Sequence, residues 1–257
     1  MSRLEWRAGR KYSVLVAGNY KKDFESAATK TPGIADHPAY RAAKYGNDAK
    51  AALQVVESAL NRLYLAKVKI VLNELANGPH KITNPILVAP YKETSRNRLA
   101  RVAAAYLGDK LGLAVDQNIT EKPDVSMKNL GKLERMFNSP DFDGAVEKDR
   151  WYIAVDDTVS SGTTMAALRS HIVANGGRFV CGLALASPTG NNVVLNPSKD
   201  DIKEIATRLS HNVVEWFERM SHVPLAGLTK SQADFLQSPN GRRELIGYAA
   251  QTGFFQS

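Results

Sequence analysis

Apolar residues in this chain fall into two patterns, and the way these alternate predicts the fold. Short apolar runs occur from Ser13 to Gly18, Pro85 to Ala89, Leu113 to Ile119, Tyr152 to Val155 and Arg178 to Ser187. Runs of this kind suit strands covered on both faces. Elsewhere apolar residues recur at helical spacing. Leu53, Val56, Leu60, Leu63, Val68, Val71 and Leu75 predict one long helix or two in succession. Leu99, Val102, Ala103, Tyr106, Leu107 and Leu111 predict another, and Ala166, Leu168, His171, Ile172 and Val173 a further one. Asn77-Gly78-Pro79 and Asn175-Gly176-Gly177 stop the first and the last. Strand, loop, helix and strand over residues 85–119 read as a βαβ unit, so the expected fold class is α/β with a parallel sheet.

Around that core the pattern predicts three parts. Residues 1–80 read as a mostly helical segment packed on the core, with a polar, basic, loosely tied stretch over 1–12. Residues 81–190 form the core itself. Residues 191–257 read as a helical extension with patches from Ile202 to Met220, Lys230 to Leu236 and Arg242 to Ala250. Residues 120–150 hold loop formers and a weak helical patch from Met127 to Phe137; an insertion that long is by default a functional loop.

The chemistry concentrates after the run at Tyr152. Asp156 and Asp157 end it, and Thr158, Val159, Ser160, Ser161, Gly162, Thr163 and Thr164 lead straight into a helix. A strand, a tight small-residue loop and a helix start gather free backbone N–H groups at the positive helix end, which suits an anion. Gly162 permits close approach, and the hydroxyls add donors. Two adjacent carboxylates beside an anion need a cation or a hydroxyl-rich partner, and a sugar diol or a magnesium ion meets that need. The local reading is a phosphorylated sugar. The bland alternative is an Asp-Asp turn closing an ordinary strand.

Composition narrows the class. Charged residues make up 23% of the 257 and hydrophobic ones 44%, as in ordinary globular proteins. A single cysteine, Cys181, excludes a disulfide framework and any cysteine-based zinc module, and its apolar setting predicts a buried inert thiol. No signal-peptide pattern and no membrane-length apolar run occurs, so a cytoplasmic location is expected. The net charge is +8, with 13 basic against 7 acidic residues over 1–80 and 6 against 3 over 81–120. A basic amino-terminal part suits pyrophosphate, nucleic acid or simply a solvated surface.

Four apolar residues, Asp-Asp and then Thr-Val-Ser-Ser-Gly-Thr-Thr resemble the phosphoribosyl-diphosphate (PRPP) signature of type I phosphoribosyltransferases. The resemblance implies a Rossmann-like parallel core, Asp156 and Asp157 on the ribose hydroxyls, and Thr158 to Thr164 around the 5′-phosphate. It implies a pyrophosphate loop after Pro85 to Ala89, where Tyr91, Lys92, Arg96 and Arg98 stand. Arginines at a helix start oppose the helix dipole, which favours a ligand for them. Residues 120–150 become a lid with Lys122, Lys128 and Arg135 as candidate contacts. Mg2+ is the implied cofactor, reached by Asp156 or Asp157 through water. The implied reaction transfers ribose 5-phosphate from PRPP to a nitrogen acceptor such as a nucleobase, in a homodimer.

Arg135 to Asn138 with Phe142, Asn97 with Ala103, and Lys44-Tyr45-Gly46 resemble stretches of the competence-F (ComF-like) branch. That branch's amino-terminal cysteine module is absent here. Two other readings use the same site: a regulatory protein binding a phosphoribosyl compound or nucleic acid, and a hydrolase with water as acceptor.

Overall fold

The computed structural model describes residues 2–21, 33–122 and 130–254. A six-stranded sheet is built from β1 (Ser13–Asn19), β2 (Ile86–Val88), β3 (Val115–Asp116), β6 (Trp151–Thr158), β7 (Arg178–Ser187) and β8 (Val193–Val194). Its order is β3-β2-β6-β7-β1-β8, parallel throughout except for the short antiparallel edge strand β8. A second, two-stranded sheet pairs β4 (Thr120–Glu121) with β5 (Phe142–Asp143). The fold is therefore mixed α/β with a mostly parallel sheet, as the run-and-helix alternation predicts.

Both faces of the sheet are covered. Ile153, Val155, Leu87 and Leu183 face a cluster made with α1 (Tyr40–Tyr45), α2 (Ala49–Ala59), α3 (Arg62–Asn77) and α4 (Leu99–Leu111). Tyr152, Ala154, Val14, Val16 and Phe179 face the other cluster, made with α6 (Thr163–Ala174) and with Trp6 and Tyr12. Alternate residues of β6 thus enter opposite cores, which is why its sequence has no polar alternation. Gly182 on β7 lets α6 approach, since a Cβ there would collide with the Met165 sulfur.

A third cluster joins α5 (Glu134–Phe137) to α7 (Lys199–Arg208), α8 (His211–Ser221), α9 (Lys230–Gln237) and α10 (Pro239–Gln251). Trp216 and Phe217 are buried at its centre, each stabilising this layer by roughly 2–3 kcal/mol. Ser210 caps α8 by accepting from the Val213 amide, so the stretch from Ile202 to Met220 is two helices.

Several expectations need correction. Residues 2–12 are not loosely tied: Arg3, Trp6 and Tyr12 are buried, and the Arg3 and Trp6 amides donate to the carbonyls of His222 and Ala226. Strand β1 lies inside the main sheet between β7 and β8. Of the two options for Leu53 to Leu75 the chain takes two helices in succession, parted at Asn61, whose side chain caps α3. That break resets the phase, leaving Leu63 75% exposed while Tyr64 and Val68 are buried. The third strand shrinks to Val115–Asp116, and the described part of the patch from Met127 to Phe137 is helical only over Glu134–Phe137.

Candidate functional site

Strand β2 ends at Val88 opposite Ala154, so the last residues of β6 run past it and are flanked only by β7, where Asp156 lies opposite Ala184. This leaves a notch at the carboxyl ends of the strands, the usual ligand position in an open parallel sheet. Asp156 and Asp157 stand at that notch. Strand alternation sends them to opposite faces, Asp157 toward α1 and α4.

Asp157 is 5% exposed. Its Oδ2 accepts from the Lys44 ammonium on α1, and from Asn97 Nδ2 at 3.0 Å. Asn97 Oδ1 accepts from the Leu99 amide at 3.1 Å, so a residue just ahead of α4 is held by the helix's first amide while it fixes the acid. Asp156 Oδ1 accepts from the Asp157 amide at 2.8 Å. Burial and then the neighbouring Asp157 charge raise the Asp156 pKa well above the ordinary carboxylate value. Burial works against the Lys44 ammonium, but the Asp157 charge and hydrogen bond, with Asp156, outweigh it and raise the Lys44 pKa. Beside them Tyr40 donates to the Tyr20 hydroxyl at 3.3 Å, and burial, then that contact, then Asp157, raise the Tyr40 pKa.

The loop after β6 is tied at its start, where the Val159 amide donates to Ala186 O at 2.9 Å. From Ser160 to Thr164 the amides have no acceptor among the described residues. Gly162 takes φ 73°, and a Cβ on it would lie 2.7 Å from Leu195 Cδ2. Ser161 and Thr163 hydroxyls are 2.9 Å apart, and Gln232 Nε2 of α9 donates to Thr163 Oγ1 at 3.4 Å. Ser160, Ser161 and Thr163 line a cavity of about 330 Å³ with Lys132, Arg135 and Phe235 among its other walls. Its walls offer hydroxyl donors and two cationic side chains, Lys132 and Arg135, the groups an anion would use.

The remaining candidates are distributed more loosely. Arg98 donates to Asn47 Oδ1 and, at 3.3 Å, to the Tyr91 hydroxyl. Lys92 lies 3.5 Å from Glu121, and Arg96 is exposed. Lys122 pairs with Asp141 at 3.4 Å, and Arg135 Nε donates to Leu130 O at 2.9 Å. Lys128 lies outside the described residues. A larger cavity of about 480 Å³, lined by Tyr91, Arg98, Arg101 and Gln117, lies along α4 and includes neither acid.

Sequence reading gives no role at the acids or the loop to three contributors, of which Lys44 and Asn97 are marked only by the ComF-like resemblance and Gln232 not by it at all. Lys44 and Asn97 stand 113 and 60 residues from Asp157, and no local periodicity marks such contacts. Gln232 carried a signal, since Thr229-Lys230-Ser231-Gln232 is a capping box, but that signature predicts only a helix start.

Fold and site together define a mixed α/β protein with a mostly parallel sheet and a loop of free amides beside two acids. No family model matches the chain. Over 157 residues, 61% of the chain, it is 32% identical to Protein TraN of Escherichia coli, covering 34% of that protein. Over 142 residues, 53% of the chain, it is 32% identical to an uncharacterized protein of Haemophilus influenzae, covering 29% of it. The chain spans about a third of the length of these curated relatives. Solved structures similar to it include two phosphoribosyltransferases. The adenine phosphoribosyltransferase of Thermoanaerobacter pseudethanolicus aligns over 66% of this chain and 84% of that one, at 16% identity and TM-score 0.35. The purine phosphoribosyltransferase of Pyrococcus horikoshii aligns over 48% and 88%, at 14% identity and TM-score 0.26. Scores this low leave the assignment of chemistry to the site's own residues. No described helix is long and apolar enough to cross a membrane.

Proposed function

We propose that this chain is a phosphoribosyltransferase that transfers ribose 5-phosphate from PRPP to a nitrogen acceptor, a nucleobase or a similar base, and releases pyrophosphate. One observation carries the reading: unpartnered amides from Ser160 to Thr164 and two acids share one notch at the strand ends. An anion bound by several such amides is favoured by roughly 1.5–3 kcal/mol per charge-assisted bond. The acids then meet the ribose hydroxyls that extend from that phosphate.

The residues do the rest by position and charge. Lys44 and Asn97 hold Asp157 in one orientation, so a diol meets a prearranged acceptor. Asp156, mostly buried at the notch, becomes anionic more readily once a diol or cation faces it. Lys92, Arg96 and Arg98 follow β2 and would meet the departing pyrophosphate. No side-chain nucleophile is needed, because the acceptor nitrogen attacks ribose C1 as its bond to pyrophosphate breaks.

Among the described residues no cluster of three or more His, Cys, Asp or Glu could hold a metal. Asp157 Oδ2 is already engaged, which leaves Asp156 as the freer acid. Such a donor set fits Mg2+ bound chiefly by ligand oxygens and water, with Asp156 outside them. Bound there, the ion would supply charge neutralisation to the pyrophosphate.

Calorimetric titration with PRPP and Mg2+, followed by a panel of bases scored for pyrophosphate release, tests the reading. Saturable PRPP binding that Asp157→Asn weakens at least tenfold is expected. Absence of PRPP binding would end it, and binding without release for any base would shift it to a regulatory protein.

A further inference from the structure

Two arginines are buried behind the anion loop with no carboxylate in salt-bridge range among the described residues. Arg3 is 4% exposed and Arg169 3% exposed. Arg169, on α6, donates to the carbonyls of Leu4 (3.1 Å) and Glu5 (2.6 Å) and lies over the Trp6 ring, clamping the amino-terminal segment onto that helix. Arg3 is thereby delivered to the interior. Its Nη1 donates to Gln232 Oε1 at 2.7 Å, its Nη2 to Ser139 Oγ at 2.6 Å, and its Nε has no partner. A buried charge is ordinarily paired, so an unpaired guanidinium needs an explanation.

Gln232 supplies the direction. Its Oε1 takes both Arg3 and the Thr229 amide (2.9 Å), which fixes the amide orientation and turns Nε2 toward Thr163 Oγ1. The Thr163 hydroxyl in turn lies 2.9 Å from that of Ser161. The chain Arg3–Gln232–Thr163–Ser161 therefore runs from a buried cation to the wall of the cavity, which Gln232, Thr163 and Ser161 all line.

We infer that Arg3 is a positioning residue for the phosphate subsite: the bound phosphoryl group is its missing counter-charge, and Gln232 relays its polarisation to the Thr163 and Ser161 hydroxyls. This rests on the reading of the loop as a phosphate site. It adds that the amino-terminal segment and α9, both remote from the signature, set the affinity for the dianion. The effect is electrostatic, because field in a dry interior is poorly screened.

Gln232→Glu separates this role from a structural one. Glutamate serves a capping box equally well and would pair with Arg3, so the fold should hold or gain stability. The same change cancels the Arg3 charge next to the loop. Calorimetry with ribose 5-phosphate, and separately with magnesium pyrophosphate, should show ribose 5-phosphate affinity falling at least tenfold in Gln232→Glu and pyrophosphate affinity changing less than twofold. Arg3→Gln, which removes the charge and keeps a donor, should reproduce the loss, and is read alone if Gln232→Glu fails to fold by urea denaturation. Equal ribose 5-phosphate affinity in wild type and the folded variant would overturn the relay while leaving the phosphate site intact. Failure of the wild-type protein to bind ribose 5-phosphate would overturn both.

Discussion

Lys44 and Asp157, 113 residues apart, form an ion pair that joins α1 to the carboxyl end of the central strand. The carboxylate is almost fully enclosed, while the lysine side chain keeps 23% of its surface. The pair therefore fixes the geometry of the acid and ties the α1 layer to the sheet.

Breaking this pair should be costly. Lys44→Met leaves a buried carboxylate beside Asp156, and a loss of about 2–3 kcal/mol is expected, at the lower end for buried pairs because Lys44 is partly exposed. Urea denaturation at pH 7 measures it; a loss under about 0.5 kcal/mol would mean the pair is only a surface contact. Because the folded Lys44 pKa is raised above 10.5, its contribution is fully present below pH 10.5 and disappears as pH rises through the folded value.

Asp156 has the opposite consequence for stability. Its folded pKa is raised, so between the unfolded value of 3.8 and the folded value the native state holds a proton that the unfolded state has lost. Stability therefore falls as pH rises through that window. Asp156→Asn should flatten this part of the stability profile and stabilise the protein at pH 7, while lowering turnover at least a hundredfold. An unchanged pH profile would show that Asp156 is solvated.

Gly162→Ala tests the loop. A residue with a Cβ at φ 73° carries about 1 kcal/mol of strain, and here the methyl also meets Leu195. Weaker ribose 5-phosphate binding and a lowered melting temperature should appear together. Wild-type affinity in this variant would mean the loop does not wrap the ligand.

Burial pushes the Cys181 thiol up to about 12. A thiol reagent at pH 8 should therefore label native protein negligibly and label it fully in denaturant. Rapid native labelling would indicate that the α2–α3 side of the sheet opens.

How much of this was legible depends on contact range. Strand β7 matches its apolar run from Arg178 to Ser187 end for end, and the β6-loop-α6 unit was readable because strand, acids, loop and helix are consecutive. The place of β1 was not readable: a buried run announces a strand but not its neighbours, and β1 pairs with strands formed far later in the chain. The contacts of Lys44 and Asn97 with Asp157, and the place of Gln232, were unreadable for the same reason, although the ComF-like resemblance marks the first two residues. Each is polar, ordinary in its local setting, and informative only once tertiary contacts bring it to the notch.

The amino-terminal stitching has a consequence for biosynthesis. Arg3 and Trp6 find their partners 229 and 222 residues downstream, and β1 waits for β7 and β8. A chain emerging from the ribosome thus carries an unpaired apolar strand and an exposed tryptophan until Arg178 to Leu228 have been made. Such long-range closure slows folding and leaves the half-made protein prone to aggregation. Chaperone demand during translation is therefore built into the same threading that brings Arg3 and Gln232 up behind the Ser160 to Thr164 loop.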